Sequence, residues 1–295
     1  MGVAVEGSDA WWPAEKEPAT LPELTPFSQQ TRYIEIFSQS NIPFTYKVQS
    51  GAPWLHISST QGTVDKEQRL LVSVDWQKAP TGVQRVPITI TGPDGSTVKV
   101  QAVVNKPAGL NPGEVSGFVE SNGYISMEAA HYTRAVDNGI IEWQLIPDLG
   151  KTMSAMTPFP VTAGSQKPGG GSPHLQYKMH LLHEGEVKVY TYLSPTLNFN
   201  ASDGLKFAVS IDDAEPQIIN MHKDDSHGAW NKGVADNINI QVSTHKTDRA
   251  GEHVLKFWMV DPGVVLQKIL VDTGGLKPSY LGPPESYYQP EKANP

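Results

Sequence analysis

Along most of the chain, apolar and polar residues alternate in short runs divided by turn-forming residues, the two-residue period of half-buried β-strands. Between residues 26 and 105, the stretches 44–48 and 97–103 alternate cleanly and 31–37 alternates in part, while 70–76 and 86–90 are apolar runs lying between them. Pro93-Asp94-Gly95-Ser96 joins 86–90 to 97–103, and Asp-Gly at such a junction signals a hairpin. Six or seven short strands in about 80 residues predict an immunoglobulin-like sandwich. Pro87 has no N–H to donate to a ladder, so its strand is expected at a sheet edge. Trp54 and Trp76 are expected to plug the core. Between 115 and 283, a first strand at 124–128 is followed by runs at 175–181, 187–193, 207–211, 238–242, 253–259 and 264–271. At least seven strands in about 165 residues, with no convincing amphipathic helix, predict a jelly roll.

The remaining stretches lack a period. Residues 106–114 carry two Pro and two Gly and read as a linker. Residues 1–25 read as an irregular N-terminal segment and 284–295 as a loose, Pro-rich tail. Trp11-Trp12-Pro13 has two readings: a docking patch for an absent partner, or two rings packed beneath the next domain. The expected class is all-β, an immunoglobulin-like sandwich at 26–105 followed by a jelly-roll, galactose-binding-like β-sandwich at 115–283.

Charge and composition narrow the partners. The net charge is −8, from 23 Lys and Arg against 31 Asp and Glu, and no basic run could track a phosphate backbone. Nucleic acid is therefore excluded as an expected partner. An acidic surface does not favour anionic membranes, and no apolar stretch approaches the roughly 18 residues of a membrane span. With no cysteine, neither disulfides nor thiolate metal sites can form. The first eight residues lack the basic and apolar regions of an export signal.

Catalytic chemistry is hard to find. Glycoside hydrolysis needs two carboxylates, but Asp212-Asp213 falls in a turn and Asp224-Asp225 in a loop, where Asp is favoured for backbone reasons. Ser194 lacks the flanking glycines of a nucleophile elbow. Gly169-Gly170-Gly171 lacks the Lys-Ser/Thr and helix of a phosphate loop. His222, Asp224, Asp225 and His227 crowd one loop, read as solvated rather than metal-binding. The stretch Asp224-Asp225-Ser226-His227-Gly228-Ala229-Trp230-Asn231 is the candidate sugar site. Its indole can stack on the C–H face of a sugar while Asn231, Asp224, Asp225 and His227 bond hydroxyls. Its carboxylates suit neutral xylose better than glucuronate. The competing reading has Trp230 starting a strand and filling the core.

Three strings carry a family resemblance: Gly2-Val3-Ala4-Val5-Glu6-Gly7-Ser8 with Trp11-Trp12-Pro13; Leu193-Ser194-Pro195-Thr196-Leu197-Asn198-Phe199; and Phe257-Trp258-Met259-Val260-Asp261-Pro262-Gly263-Val264-Val265-Leu266-Gln267-Lys268-Ile269, extended by residues 275–284. They resemble the C-terminal region of glycoside hydrolase family 115, the xylan α-glucuronidases. The resemblance implies a non-catalytic accessory region, outside the cell or in the periplasm. It would pack on the preceding catalytic barrel or on a dimer partner and help hold xylan or glucuronoxylan. An independent carbohydrate-binding module for xylan or a related plant polysaccharide is the alternative. The opening Ile125-Ser126-Met127-Glu128-Ala129-Ala130 also resembles carbohydrate-binding module families 6 and 35, whose Glu-Ala-Glu start holds a structural calcium. No cofactor is required; a structural calcium, where one binds, is expected at Glu128, joined by Asp272 from the closing strand. Ala130 removes one expected carboxylate, which weakens a hard-cation site. On the other reading, Glu128 pairs with a cationic side chain.

Overall fold

The computed structural model describes residues 1–28, 31–40, 42–200, 202–224 and 226–291. The chain divides into two compact units, Met1–Glu114 and Val115–Pro295.

The first unit is a sandwich of two five-stranded sheets. One runs in the order Trp11–Trp12, Gly2–Val5, Arg32–Phe37, Glu67–Val74, Leu55–Ile57, and the other Ala19–Thr20, Thr97–Lys106, Gly82–Thr91, Phe44–Ser50, Gln61–Val64. Alternation sends Ile34, Ile36, Leu70 and Val72 from the first sheet, and Ile88, Ile90, Val98 and Val100 from the second, into one core. Trp54 and Trp76 pack against that core.

Residues 1–25 are not irregular, as their sequence suggests. They supply three strands, and Val3, Val5, Leu21 and Leu24 are buried. Strands of two to four residues are too short to display a period, which is why they were invisible. The two tryptophans part company: Trp12 joins the core, while Trp11 stays 38% exposed with its ring edge-on to Phe37 at 5.9 Å. Pro87 lies in an inner strand rather than an edge one, but the neighbouring strand stops at Ser50, opposite Ile88. The missing N–H therefore falls at a local edge. There Gly51 donates to Pro87 O at 2.8 Å, and any Cβ on Gly51 would meet the proline at 2.9 Å. Lys106 ends a strand, so the connecting segment is 107–114.

The second unit is a jelly roll. From His174–Leu181 onward the chain alternates between a seven-stranded and a six-stranded sheet. Gly185–Leu193 lies in the six, Lys206–Ile211 and its hairpin partner Gln217–Asn220 in the seven, Asn239–Thr247 in the six, Gly251–Met259 in the seven and Leu266–Asp272 in the six. Inward residues such as Phe118, Met127, Tyr177, Val189, Phe207, Phe257 and Ile269 form a single core.

Two expectations fail here. A helix, His227–Asp236, stands where a loop was expected. It buries none of its residues, so it has no apolar stripe for sequence periodicity to reveal. The tail is also anchored through much of its length. Tyr288–Gln289 pairs with Gly117–Val119, Ser286 exchanges hydrogen bonds with the Ser126 backbone, and Tyr288 stacks on Phe118 at 4.5 Å. Residues 292–295 lie outside the described part.

Candidate functional site

One end of the jelly roll carries an open cleft of about 470 Å³, within the roughly 300–1,000 Å³ usual for ligand sites. One wall comes from the connection after Leu193: Pro195, Thr196, Leu197, Asn198, Ser202 and Asp203. The helix and its approach form the other wall: Asp224, His227, Ala229, Trp230 and Gly233. Met221, His222 and Asn239 also line it.

Both walls are built from local chemistry. Ser226 caps the helix by accepting the Ala229 N–H at 3.2 Å, the standard service of a serine at that position. Asn237 ends the helix in the left-handed conformation, φ 53°, with its N–H reaching Gly233 O and Val234 O. His222 pins the opposite wall at both ends. The Leu205 N–H donates to Nδ1 at 3.0 Å, so Nε2 carries the proton and donates to Thr196 O at 2.7 Å. Phe199 lies against Gly263, where a Cβ would come within 2.4 Å of the ring and φ is +81°. Only glycine meets both demands.

The cleft pairs apolar faces with polar rims. Leu197 is 65% and Trp230 37% exposed, so neither serves the core. Ser226, through its hydroxyl and its N–H at 3.1 Å, holds the Asp224 carboxyl below its ordinary value. The Lys206 ammonium at 2.8 Å does the same for Asp203. Both are ionised acceptors at neutral pH, able to take hydroxyl hydrogens. The arrangement offers stacking and hydrogen bonding. Among the described lining residues, no nucleophile is joined to a base.

The sequence-chosen residues separate. Trp230, Asp224 and His227 line the cleft. Asn231 sits exposed on the helix, off the lining. Asp225 lies outside the described residues. Trp230 is on a helix, not starting a strand, and does not fill the core. Sequence reasoning missed the wall formed by residues 195–198, 202 and 203. Its signal was an apolar pair, Leu197 and Phe199, in a stretch with no strand period.

Glu128 and Asp272 do not fit a shared calcium. Their strands pair antiparallel with Tyr124 opposite Asp272 and Glu128 opposite Lys268, so the carboxylates lie four residues apart along the ladder, about 13 Å. Glu128 Oε1 instead meets Lys268 Nζ at 2.9 Å and the Thr152 hydroxyl at 2.6 Å, with both charged side chains buried. Asp272 Oδ1 caps the following turn by accepting the Gly274 and Leu276 N–H groups. Among the described residues, no three His, Asp or Glu side chains converge as metal ligands would.

Known proteins give this geometry a context. The model of the glycosyl hydrolase family 115 C-terminal domain matches residues 117–285, more than half of the chain. No curated protein sequence matches it. Among solved structures, it resembles a family GH115 4-O-methyl-α-glucuronidase with specificity for decorated arabinogalactans, at 20% identity and TM-score 0.41 over 57% of this chain. The chain spans only 19% of that enzyme's length. It also resembles the C-terminal family 6 carbohydrate-binding module of a marine laminarinase from Zobellia galactanivorans (12% identity, TM-score 0.33, 50% of this chain and 98% of that one). A family 35 carbohydrate-binding module from Clostridium thermocellum is comparable (12% identity, TM-score 0.32, 50% and 97%). On the match over residues 117–285, the chain belongs to the glycosyl hydrolase family 115 C-terminal domain family.

Proposed function

We propose that this chain is the non-catalytic C-terminal region of a xylan α-glucuronidase and that its second unit holds the neutral xylan backbone in the cleft beside the helix. The observation that carries this reading is Trp230. It is a large ring kept partly exposed at a cleft of sugar-binding size, with the carboxylates of Asp203 and Asp224 at hand for hydroxyls. Among the described residues the lining has no Lys or Arg to receive a uronate, and the nearby Lys206 ammonium is already paired with Asp203. A polymer too large to enter a cell puts the chain's work outside the cell, or in the periplasm if it handles shorter xylan fragments.

Titration with xylohexaose, followed by calorimetry, tests the reading. Binding by the parent chain and at least about tenfold weaker binding by a folded Trp230→Ala variant are expected, because stacking on an aromatic ring contributes a large share of such affinity. Equal binding by both would move the site elsewhere. The isolated chain is also expected to release no glucuronic acid from glucuronoxylan; measurable release by the purified chain would overturn the non-catalytic assignment.

Packing against the catalytic barrel is a second part of the reading, and an exposed apolar surface favours it. The edge strand Glu142–Ile146 leaves Leu145 51% exposed, and the flanking Ile140 is 75% exposed. An edge strand facing water is ordinarily blunted with charge. Leu145→Lys should weaken association of the chain with a separately produced barrel; unchanged association would assign that contact to another face.

A further inference from the structure

Gln267 joins the two walls of the cleft without lining it. Its side chain is buried, on the strand Leu266–Asp272, and its amide bonds to three separate segments. Nε2 donates to Ser194 Oγ at 2.9 Å and to Asn237 O at 3.4 Å, and Oε1 accepts the Lys151 N–H at 3.1 Å. Ser194 begins the wall that carries Leu197, and Asn237 is the C-cap of the helix that carries Trp230. A glutamine is suited to this place because one planar group supplies two N–H donors and an acceptor. A glutamate would lose both donors, and an apolar side chain all three bonds.

The tether matters because the helix itself buries nothing: at its C-terminal end it is held by the buried Ile238, the residue after the cap, and by the Gln267 bond to the cap carbonyl. The helix is ten residues long and contains Gly228 and Gly233. Isolated helices shorter than about 12–15 residues are marginal in water, and each internal glycine costs up to about 1 kcal/mol relative to alanine. Its place on the surface is therefore set by its ends. The Ser226 cap holds the first turn, and the bond from Gln267 engages the carbonyl just past the last.

We infer that Gln267 is a positioning residue for the glycan cleft, setting the separation of the Leu197 and Trp230 walls. This rests on the cleft's binding a glycan, as proposed above. The test compares the parent chain with Gln267→Met, which keeps length and apolar volume, and with the milder Ser194→Ala, which removes a single bond. Three quantities are read: affinity for xylohexaose, amide hydrogen exchange across 194–205 and 227–237, and melting temperature.

For Gln267→Met, an affinity loss of about tenfold is expected from two lost wall contacts. Exchange should quicken in the two wall segments while core strands such as Gly251–Met259 keep their protection. Ser194→Ala should move the same way by less, and it decides the matter if Gln267→Met does not fold. Unchanged affinity with a lowered melting temperature would mean a structural role alone and overturn the inference, as would unchanged exchange in both walls. A parent chain that binds no xylo-oligosaccharide would sink the glycan reading itself, and the positioning role with it. Unaltered exchange in the variants of a binding parent would sink only the role of Gln267.

Discussion

Glu128 and Lys268 form the most exposed liability at the scale of single residues, although they are hidden from solvent. Both side chains are buried, Oε2 of the glutamate has no hydrogen-bond partner, and the ammonium's other contact is Pro283 O at 3.3 Å. Two charges out of water hold only because each compensates the other. Lys268→Met should therefore cost about 3–5 kcal/mol in urea unfolding of the second unit, and the Glu128→Met, Lys268→Met pair should recover most of that loss. A single variant as stable as the parent would refute the pairing. The histidines set a pH dependence. His174, His180 and His245 are held below the ordinary value of 6.5, chiefly by burial. Between their folded values and 6.5 the unfolded chain binds more protons, so their contribution is complete above 6.5 and shrinks as pH falls below it. The urea midpoint should accordingly be lower at pH 5.5 than at 7.5, with a smaller difference in His245→Gln. Carboxylates such as Asp203, Asp224 and Asp236 are shifted below 3.8 and lie outside that window.

At the scale of elements, the helix is under-stabilised. Around Gly228 an added Cβ would meet nothing closer than Ser226 Oγ at 3.9 Å. Gly228→Ala should therefore raise protection of the helix amides by up to about 1 kcal/mol in hydrogen exchange, through reduced backbone entropy in the frayed state. A fall in protection would mean that the helix depends on a glycine conformation not evident in its φ. The C-terminal strap presents the opposite case. Glu285 accepts the Glu128 N–H and faces His131 Nδ1 at 2.8 Å, while Ser286 and Tyr288 tie down beside Ser126 and Phe118. Cutting the chain after Pro283 should cost at least about 4 kcal/mol, roughly one per lost hydrogen bond at Ser286 and Glu285, before the strand pairing of Tyr288–Gln289 is counted. An unchanged melting temperature would return the segment to the status of a loose tail.

For the whole molecule, two separate cores and a turn-rich connection predict two folding units. Limited proteolysis should cut first within residues 107–114, exposed at 108–109 and 111–114, and leave two resistant fragments; cuts scattered through both halves would argue against independent units.

The sequence by itself determined the all-β class and the place of most strands. A strand that buries one face must alternate, so Phe44–Ser50 and Gly185–Leu193 are written in the order of their residues. For Trp230 it left two readings open, a ring for sugar stacking and a ring starting a strand in the core, and only the tertiary structure put that indole on a helix. What only tertiary structure decided is everything that depends on which strands become neighbours. Ser194, Asn237 and Gln267 are far apart along the chain and meet because the strands Gly185–Leu193 and Leu266–Asp272 pair. The partner of Glu128 follows from a register that places Lys268, and not Asp272, across the ladder. Registers and sheet orders are chosen by the packing of the entire core, and no short-range pattern of residues encodes them.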